Sequence, residues 1–462
     1  MGHFSFRGDG LPPQNKQQFM VPFSQSWRRL RSIPIAIALA LIPIIGVNTV
    51  ASADDDYTEF YSWGVNWSGR LGLGPLDDPV LSPAQVTALA NVTVFSAGED
   101  FSCAVSAGTL YCWGDNSEGQ LGDGTKNSKD SPVAVAGAIA NLTVTDVSAG
   151  EDHTCAVAGG KVYCWGANGD GQLGDGSSTD STLPVPVSGL TNATSVSVEY
   201  DHSCAVASGK VYCWGDSGDG RLGTGSTSDQ SSPVEVQGLL TGKKATKVEV
   251  GEYHSCALAG GELYCWGDNY YGQLGNGTSG SDALTPVKVS GLSNVTEFDA
   301  GDYRTCAIKD GAVYCWGRND WGQLNDSGSN LASPTQILST FIGRTMTYIT
   351  VGGDHQCAIS DATAYCWGTG SFGRLGNGSE SDSTSPVQVS TISNVTAISA
   401  GDYHTLARVG TAPEEGGSTD DEDGSEDGAA LPDTGAQTSL WMLALGTTAM
   451  VVGASVMLRR VS

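Results

Sequence analysis

The chain has 462 residues, 63 of them glycine, and carries 23 Lys and Arg against 50 Asp and Glu. A formal net charge of −27 excludes nucleic acid and anionic membrane surfaces as fitting partners, because both need a basic counterface. Between the two ends no long helical pattern occurs, and short apolar runs punctuated by Gly, Asn, Asp and Ser predict an all-β chain.

The first element in chain order reads as an export signal. Arg28, Arg29 and Arg31 precede an apolar run from Ile33 to Val50, and Ala51-Ser52-Ala53 puts small residues at −3 and −1 before Asp54. This predicts a secretory signal over 1–53 cut between Ala53 and Asp54, with translation starting at Met1 or, given the long leader, at Met20.

From there a Trp-Gly pair recurs at Trp63, Trp113, Trp165, Trp214, Trp266, Trp316 and Trp367, at intervals of 50, 52, 49, 52, 50 and 51 residues. Periods in this range signal solenoids, propellers or arrays. Each unit holds four strand-like pieces, seen in unit three as a run ending in Val147-Ser-Ala-Gly150, residues 153–158, residues 161–165 and a Pro184-Val-Pro-Val187 piece. The recurring proline lacks a ladder N–H and suits an outer edge, so the fourth strand is expected outermost. Radially repeated four-stranded sheets are propeller blades.

Twelve cysteines form six Cys-x8-Cys pairs: Cys103 with Cys112, Cys155 with Cys164, Cys204 with Cys213, Cys256 with Cys265, Cys306 with Cys315, and Cys357 with Cys366. Turn-forming dipeptides such as Ser208-Gly209 lie midway and suit type I′ hairpins, which put each pair directly opposite at a non-hydrogen-bonded site. In an exported chain this predicts disulfides. The spacing matches no common zinc pattern. One pair is missing as a pair, with Ser62 and Leu406 in its place. The chain therefore enters in mid-unit and ends on a half-unit. A single seven-bladed propeller over 54–410 follows, its last blade built from both ends and its ring free of open edges.

The phrase Gly-x-x-His-x-x-Ala, followed by Gly-x-Val-Tyr-x-Trp-Gly-x-Asn-x-x-Gly-Gln-Leu-Gly, resembles the repeat of the regulator of chromosome condensation family over roughly residues 58–410. The resemblance implies a seven-bladed propeller with a split closing blade, and contact with partners through loops of one rim. The founding member's nucleotide exchange on a nuclear GTPase is not expected of an exported chain, and a fold does not transfer a function.

Two sets of side chains are candidates for a site. Five of the six histidines, His153, His202, His254, His355 and His404, share one repeat position beside acids such as Asp152, Asp201 and Asp354, while Phe101 and Arg304 fill the other two units. Recurrence favours a structural role at one turn; beside carboxylates a histidine can also ligate metal or act as a base. Glu99, Glu151, Glu252, Asp302 and Asp402 extend the acids into a negative ring. The second set does not recur. Trp67, Tyr270, Tyr271, Trp321 and Phe372 occupy units one, five, six and seven, which are neighbours in a closed ring, and predict an aromatic crescent suited to a protein or glycan.

After the repeats, 411–430 is acidic and Gly/Ser-rich, as expected of an extended linker. Residues 431–462 hold Leu431-Pro-Asp-Thr434-Gly435, an apolar run from Leu440 to Leu458, and Arg459-Arg460. This order resembles the sorting signal of Gram-positive surface proteins. It implies cleavage between Thr434 and Gly435, linkage of Thr434 to peptidoglycan, and a transient membrane segment before sorting. The released piece, 54–434, keeps 16 basic and 49 acidic side chains. No catalytic residue, metal set or cofactor is assigned. The leading expectation is a monomeric, wall-anchored interaction or adhesion module for a cell-surface protein or glycan. An exported hydrolase or lyase using the acidic rim, and an inhibitor of a secreted enzyme, stand as alternatives.

Overall fold

A computed structural model describes residues 58–410 except 77, 325–327 and 338–342. The readings at 1–53, 411–430 and 431–462 lie outside the described residues. Seven antiparallel four-stranded sheets make the blades of a closed propeller. Numbered by their tryptophans, blade 1 carries Trp63 and blade 7 carries Trp367. Blade 4 shows the pattern: Ala193–Glu199, His202–Ala207, Lys210–Gly215 and Gln230–Glu235, hydrogen-bonded in that order. The first strands of all seven blades surround a central channel of about 370 Å³.

Blade 1 is the seam. Its order is Val395–Ala400, His404–Val409, Glu59–Gly64 and Val80–Gln85, so the last two strands of the chain complete the sheet begun by the first two. Ser62 stands opposite Leu406 in this register, as the missing cysteine pair requires.

The other six blades each carry the expected disulfide between their second and third strands. Cys103 is bonded to Cys112 in blade 2, Cys155 to Cys164 in blade 3 and Cys204 to Cys213 in blade 4. Cys256 is bonded to Cys265 in blade 5, Cys306 to Cys315 in blade 6 and Cys357 to Cys366 in blade 7. The members of each pair are also register partners, with Cα atoms 4.1 Å apart in all six. That is the spacing of residues facing each other at a non-hydrogen-bonded site. No cysteine is left free.

Both turn residues of each intervening hairpin have positive φ, for example Ser208 at 53° and Gly209 at 77°, which defines the I′ turn. The fourth strands begin about three residues earlier than the proline pieces suggested. In blade 4 the strand starts at Gln230, and its register shifts between Cys213 and Gly215, so Pro233 sits in a bulge where no ladder donor is required.

The core is divided into seven apolar clusters, each at one blade–blade interface. Every blade buries its repeat tryptophan completely against the preceding blade. Gly174, at φ +67°, shows why the repeat needs its second loop glycine: a Cβ there would stand 2.6 Å from Trp214 Nε1. Gly376 of blade 7 meets Trp63 of blade 1 at the same 2.6 Å, so the seam is packed like the other interfaces.

Candidate functional site: the loop face of the propeller

Strand direction assigns the loops to two faces. First strands end, and second strands start, on the face that also carries the long Gly-rich loops after each Trp-Gly. The opposite face carries the I′ hairpins and the blade-to-blade connections. The propeller begins at Glu59 and leaves at Val409, which are register partners, so both ends lie on the hairpin face. The loop face is free of them.

The histidines lie beneath this face, fully buried. His153 Nε2 is 2.8 Å from Ser203 Oγ of the next blade, and that hydroxyl donates to Gln172 O at 2.9 Å. Trp214 Nε1 donates to the same carbonyl at 2.8 Å. The hydroxyl's proton is thus committed, so Nε2 carries the hydrogen it shares. His202–Ser255, His254–Thr305, His355–Thr405 and His404–Ser102 repeat the contact at 2.7–3.0 Å. Burial pushes His153 and His254 down to about 3 and the others well below their ordinary value. These side chains staple blade to blade. They neither cap a turn, as the sequence suggested, nor reach the rim as bases or ligands. Where Arg304 replaces histidine in blade 6, its Nη2 donates to Gly352 O and Gly353 O of blade 7, at 2.9 and 2.6 Å.

The acids do reach the face. Glu99, Glu151, Glu199, Asp302 and Asp402 converge around the channel mouth from blades 2, 3, 4, 6 and 1. Burial raises Asp302 to about 6 against the pull of Arg304. Burial first, and other carboxylates of the ring second, raise Glu99 and Glu151 to about 7. Glu199 and Asp402 rise well above the carboxylate range for the same two reasons, burial first. Glu199 was missed in the sequence because it stands where the other units have glycine. Farther out, burial raises Asp201 to about 6 and lifts Asp152. Asp354 lies 3.8 Å from Arg304 Nη1. Among the described residues no group of three or more His, Cys, Asp or Glu is arranged to hold a metal ion.

The structure exposes three of the five aromatics assigned to the crescent. Trp67, Tyr270 and Trp321 are 53%, 69% and 61% exposed. Phe372 and Tyr271 are half-buried and pack: Phe372 meets Trp67 across the seam at 5.5 Å, and Tyr271 meets Tyr303 of the next blade at 5.2 Å. Tyr303 in turn stacks on Tyr253 at 5.4 Å, and Tyr403 lies 6.5 Å from Trp67. Arginines brace these rings. Arg374 lies 5.2 Å from the Tyr403 ring centroid, Arg221 4.7 Å from Tyr253 and Arg318 5.7 Å from Tyr303. Arg70 pairs with Asp100 and donates to Glu99 O at 3.1 Å. Arg70, Arg221 and Arg374 occupy the Gln position of the Gly-Gln-Leu-Gly phrase. That Gln-to-Arg alternation, with Tyr253, Tyr303 and Tyr403 one residue before the histidine position of blades 5, 6 and 1, was the sequence signal for this second layer.

Residues 59–407 match the RCC1-like domain family. The chain belongs to that family. Residues 426–460 match the LPXTG cell wall anchor motif, so this is a cell-wall-anchored surface protein displaying an RCC1-like propeller. It is 33% identical to the ultraviolet-B receptor UVR8 of Arabidopsis thaliana over 270 residues, 56% of this chain and 50% of the relative. It is 32% identical to the human E3 ubiquitin-protein ligase HERC2 over 386 residues, 80% of this chain and 7% of the relative. The chain spans half or less of the length of these curated relatives. Among solved structures, human WBSCR16 superposes with a TM-score of 0.68 at 23% identity, covering 76% of this chain and 98% of that one. Prp20p of Saccharomyces cerevisiae gives 0.67 at 22%, covering 78% and 93%. At such identities the likeness is one of fold.

Proposed function

We propose that the protein is a non-enzymatic interaction module whose loop face engages a protein with a basic surface. The observation that carries this reading is the pairing, on one face, of exposed Trp67, Tyr270 and Trp321 with a ring of carboxylates around the channel mouth. Aromatic anchors supply contact area at low entropic cost, and the surrounding charge selects the partner and steers its approach. Attachment supports the same reading. The chain leaves toward its wall anchor from the hairpin face, which leaves the loop face free to meet partners. Burial of the histidines in neutral form removes the most obvious general bases from an enzymatic alternative.

The test is a binding screen of the mature chain against basic and acidic extracellular proteins and neutral glycans, at low and high salt. The expected partner is basic, is lost at high salt, and is lost on combining Trp67→Ser, Tyr270→Ser and Trp321→Ser. Salt-insensitive binding of neutral glycans alone would assign the crescent to carbohydrate. Binding untouched by the triple substitution would remove the loop face from consideration.

A further inference from the structure

The hairpin face differs from the loop face in the sign of its local charge. A groove of about 240 Å³ opens there between blades 4 and 5, with Lys210, Lys243 and Lys244 in its wall and Glu235 as its one acidic lining residue. The connection that builds it departs from the repeat. In blades 1, 2, 4 and 6 the first strand is entered through an Asn-x-Thr phrase with the asparagine in the left-handed region, at Asn394, Asn91, Asn192 and Asn294, whereas blade 7 is entered through Gly343-Arg344-Thr345. In blade 5 the chain reads Thr241-Gly242-Lys243-Lys244-Ala245-Thr246, and Gly242 takes the positive φ of 78°. Two lysines thus enter a loop that is uncharged at the corresponding positions of blades 1, 2, 4 and 6.

The lysines outnumber their counter-charges. Lys210 Nζ lies 2.8 Å from Glu235, while Lys243 and Lys288 share Glu262. Hydrogen bonds from Lys288 and Tyr264 hold the Glu262 carboxyl down at about 2. Among the described residues no carboxylate pairs with Lys244, whose stem crosses the hairpin at Gly209, with Cγ 3.0 Å from where a Cβ would stand. The acidic loop face does not cancel this patch. A six-residue strand separates the faces by about 20 Å, more than two Debye lengths at physiological salt.

We propose that this groove binds a phosphodiester segment of an anionic cell-wall polymer. The groove opens on the face by which the chain departs toward its anchor, so a wall polymer is the polyanion it meets at highest local concentration. Lysines act as point charges for phosphate and need no planar fork, which suits a flexible polymer held by several weak contacts. The contact would add a second, non-covalent hold beside the linkage at Thr434, and is independent of the partner proposed for the loop face.

The test uses the mature chain with a short linear polyphosphate and with purified poly(glycerol phosphate), by calorimetry at low and physiological salt. Both probes should bind, with affinity falling as salt rises. Lys210→Gln/Lys243→Gln/Lys244→Gln should weaken binding about tenfold or more, with the melting temperature as a folding control. Lys126→Gln/Lys129→Gln, on the loop face, should leave binding unchanged. No binding at low salt, or equal binding by the triple variant, overturns the proposal. Inorganic phosphate binding as tightly as the polymers would overturn it in favour of a simple anion site. If neutralising the acids between Glu414 and Asp433 raises polyphosphate affinity tenfold, the groove belongs to the chain's own linker and the proposal also fails.

Discussion

His153 Nε2 lies 2.8 Å from Ser203 Oγ across the boundary between blades 3 and 4. The hydroxyl, the Trp214 indole and the Gln172 carbonyl close a small buried network that recurs around the ring. Because none of these groups can reach water, removing the histidine leaves the Ser203 oxygen without its donor. His153→Ala should lower stability by about 2–4 kcal/mol, combining cavity and lost hydrogen bond. His153→Phe should cost less than half of that, since Phe101 fills the same position in blade 2 and is fully buried in the neighbouring cluster. Denaturant unfolding of the two variants checks the order, and equal losses would show that the hydrogen bond, not the ring, carries the interface.

The seam offers a second measurement. Ser62 and Leu406 are register partners at the one blade without a disulfide, and both are buried. They hold the place that Cys112 and Cys103 hold in blade 2, and the other pairs in theirs. Ser62→Cys combined with Leu406→Cys should therefore form a seventh bond on oxidation. The loop so closed spans nearly the whole propeller, and the chain-entropy model gives about 6 kcal/mol for a loop of that length. The lost hydrogen bond from Ser62 to Leu71 O would offset about 1 kcal/mol. Thiol counting and denaturant midpoints under oxidising and reducing conditions read both effects.

Much of this was legible because repetition separates scaffold from exception. The tryptophans, glycines and cysteines recur for packing reasons and so announced blades, staples and seam. The histidines also recur, and their function as interblade staples was hidden only because the partner, Ser203 or its equivalent, lies some 50 residues away in the next unit. The aromatic exposure was only half legible. Trp321 and Phe372 hold the same repeat position, five residues after their tryptophans, yet Trp321 is exposed while Phe372 packs against Trp67 across the seam. Charge summed over the whole chain concealed the lysine groove, because opposite faces of a propeller draw on residues interleaved along every unit.

Acid–base behaviour should be unusual for so acidic a protein. Glu99, Glu151, Asp146 and Asp299 are raised to about 7 and Asp201 and Asp302 to about 6, in each case mainly by burial. A carboxyl raised in the folded state adds stability that is complete below its unfolded value, near 4, and is lost as pH climbs toward 7. The buried histidines act in the other direction. Their contribution is complete above about 6.5 and is lost as pH falls toward 3. The two windows overlap to put the stability maximum near pH 5, by this linkage. The melting temperature should be higher at pH 5 than at pH 8 by roughly 5 °C. Added salt should narrow the gap, because neighbouring carboxylates contribute part of each shift. A flat profile from pH 5 to 8 would mean that the ring is open enough to be solvated.

Exposed and braced aromatics should separate cleanly in stability. Trp321 is 61% exposed, so Trp321→Ser should change unfolding free energy by no more than about 0.5 kcal/mol. Tyr303 stacks on Tyr253, meets Tyr271 edge-on and carries Arg318 over its ring. Tyr303→Ala should therefore cost about 2 kcal/mol. If Trp321→Ser were as costly as Tyr303→Ala, the outer crescent would be holding blades together. A neutral Trp321 beside a costly Tyr303 would instead mean that a large apolar surface is kept at the loop face without benefit to folding, which is the pattern expected of a surface kept for a partner.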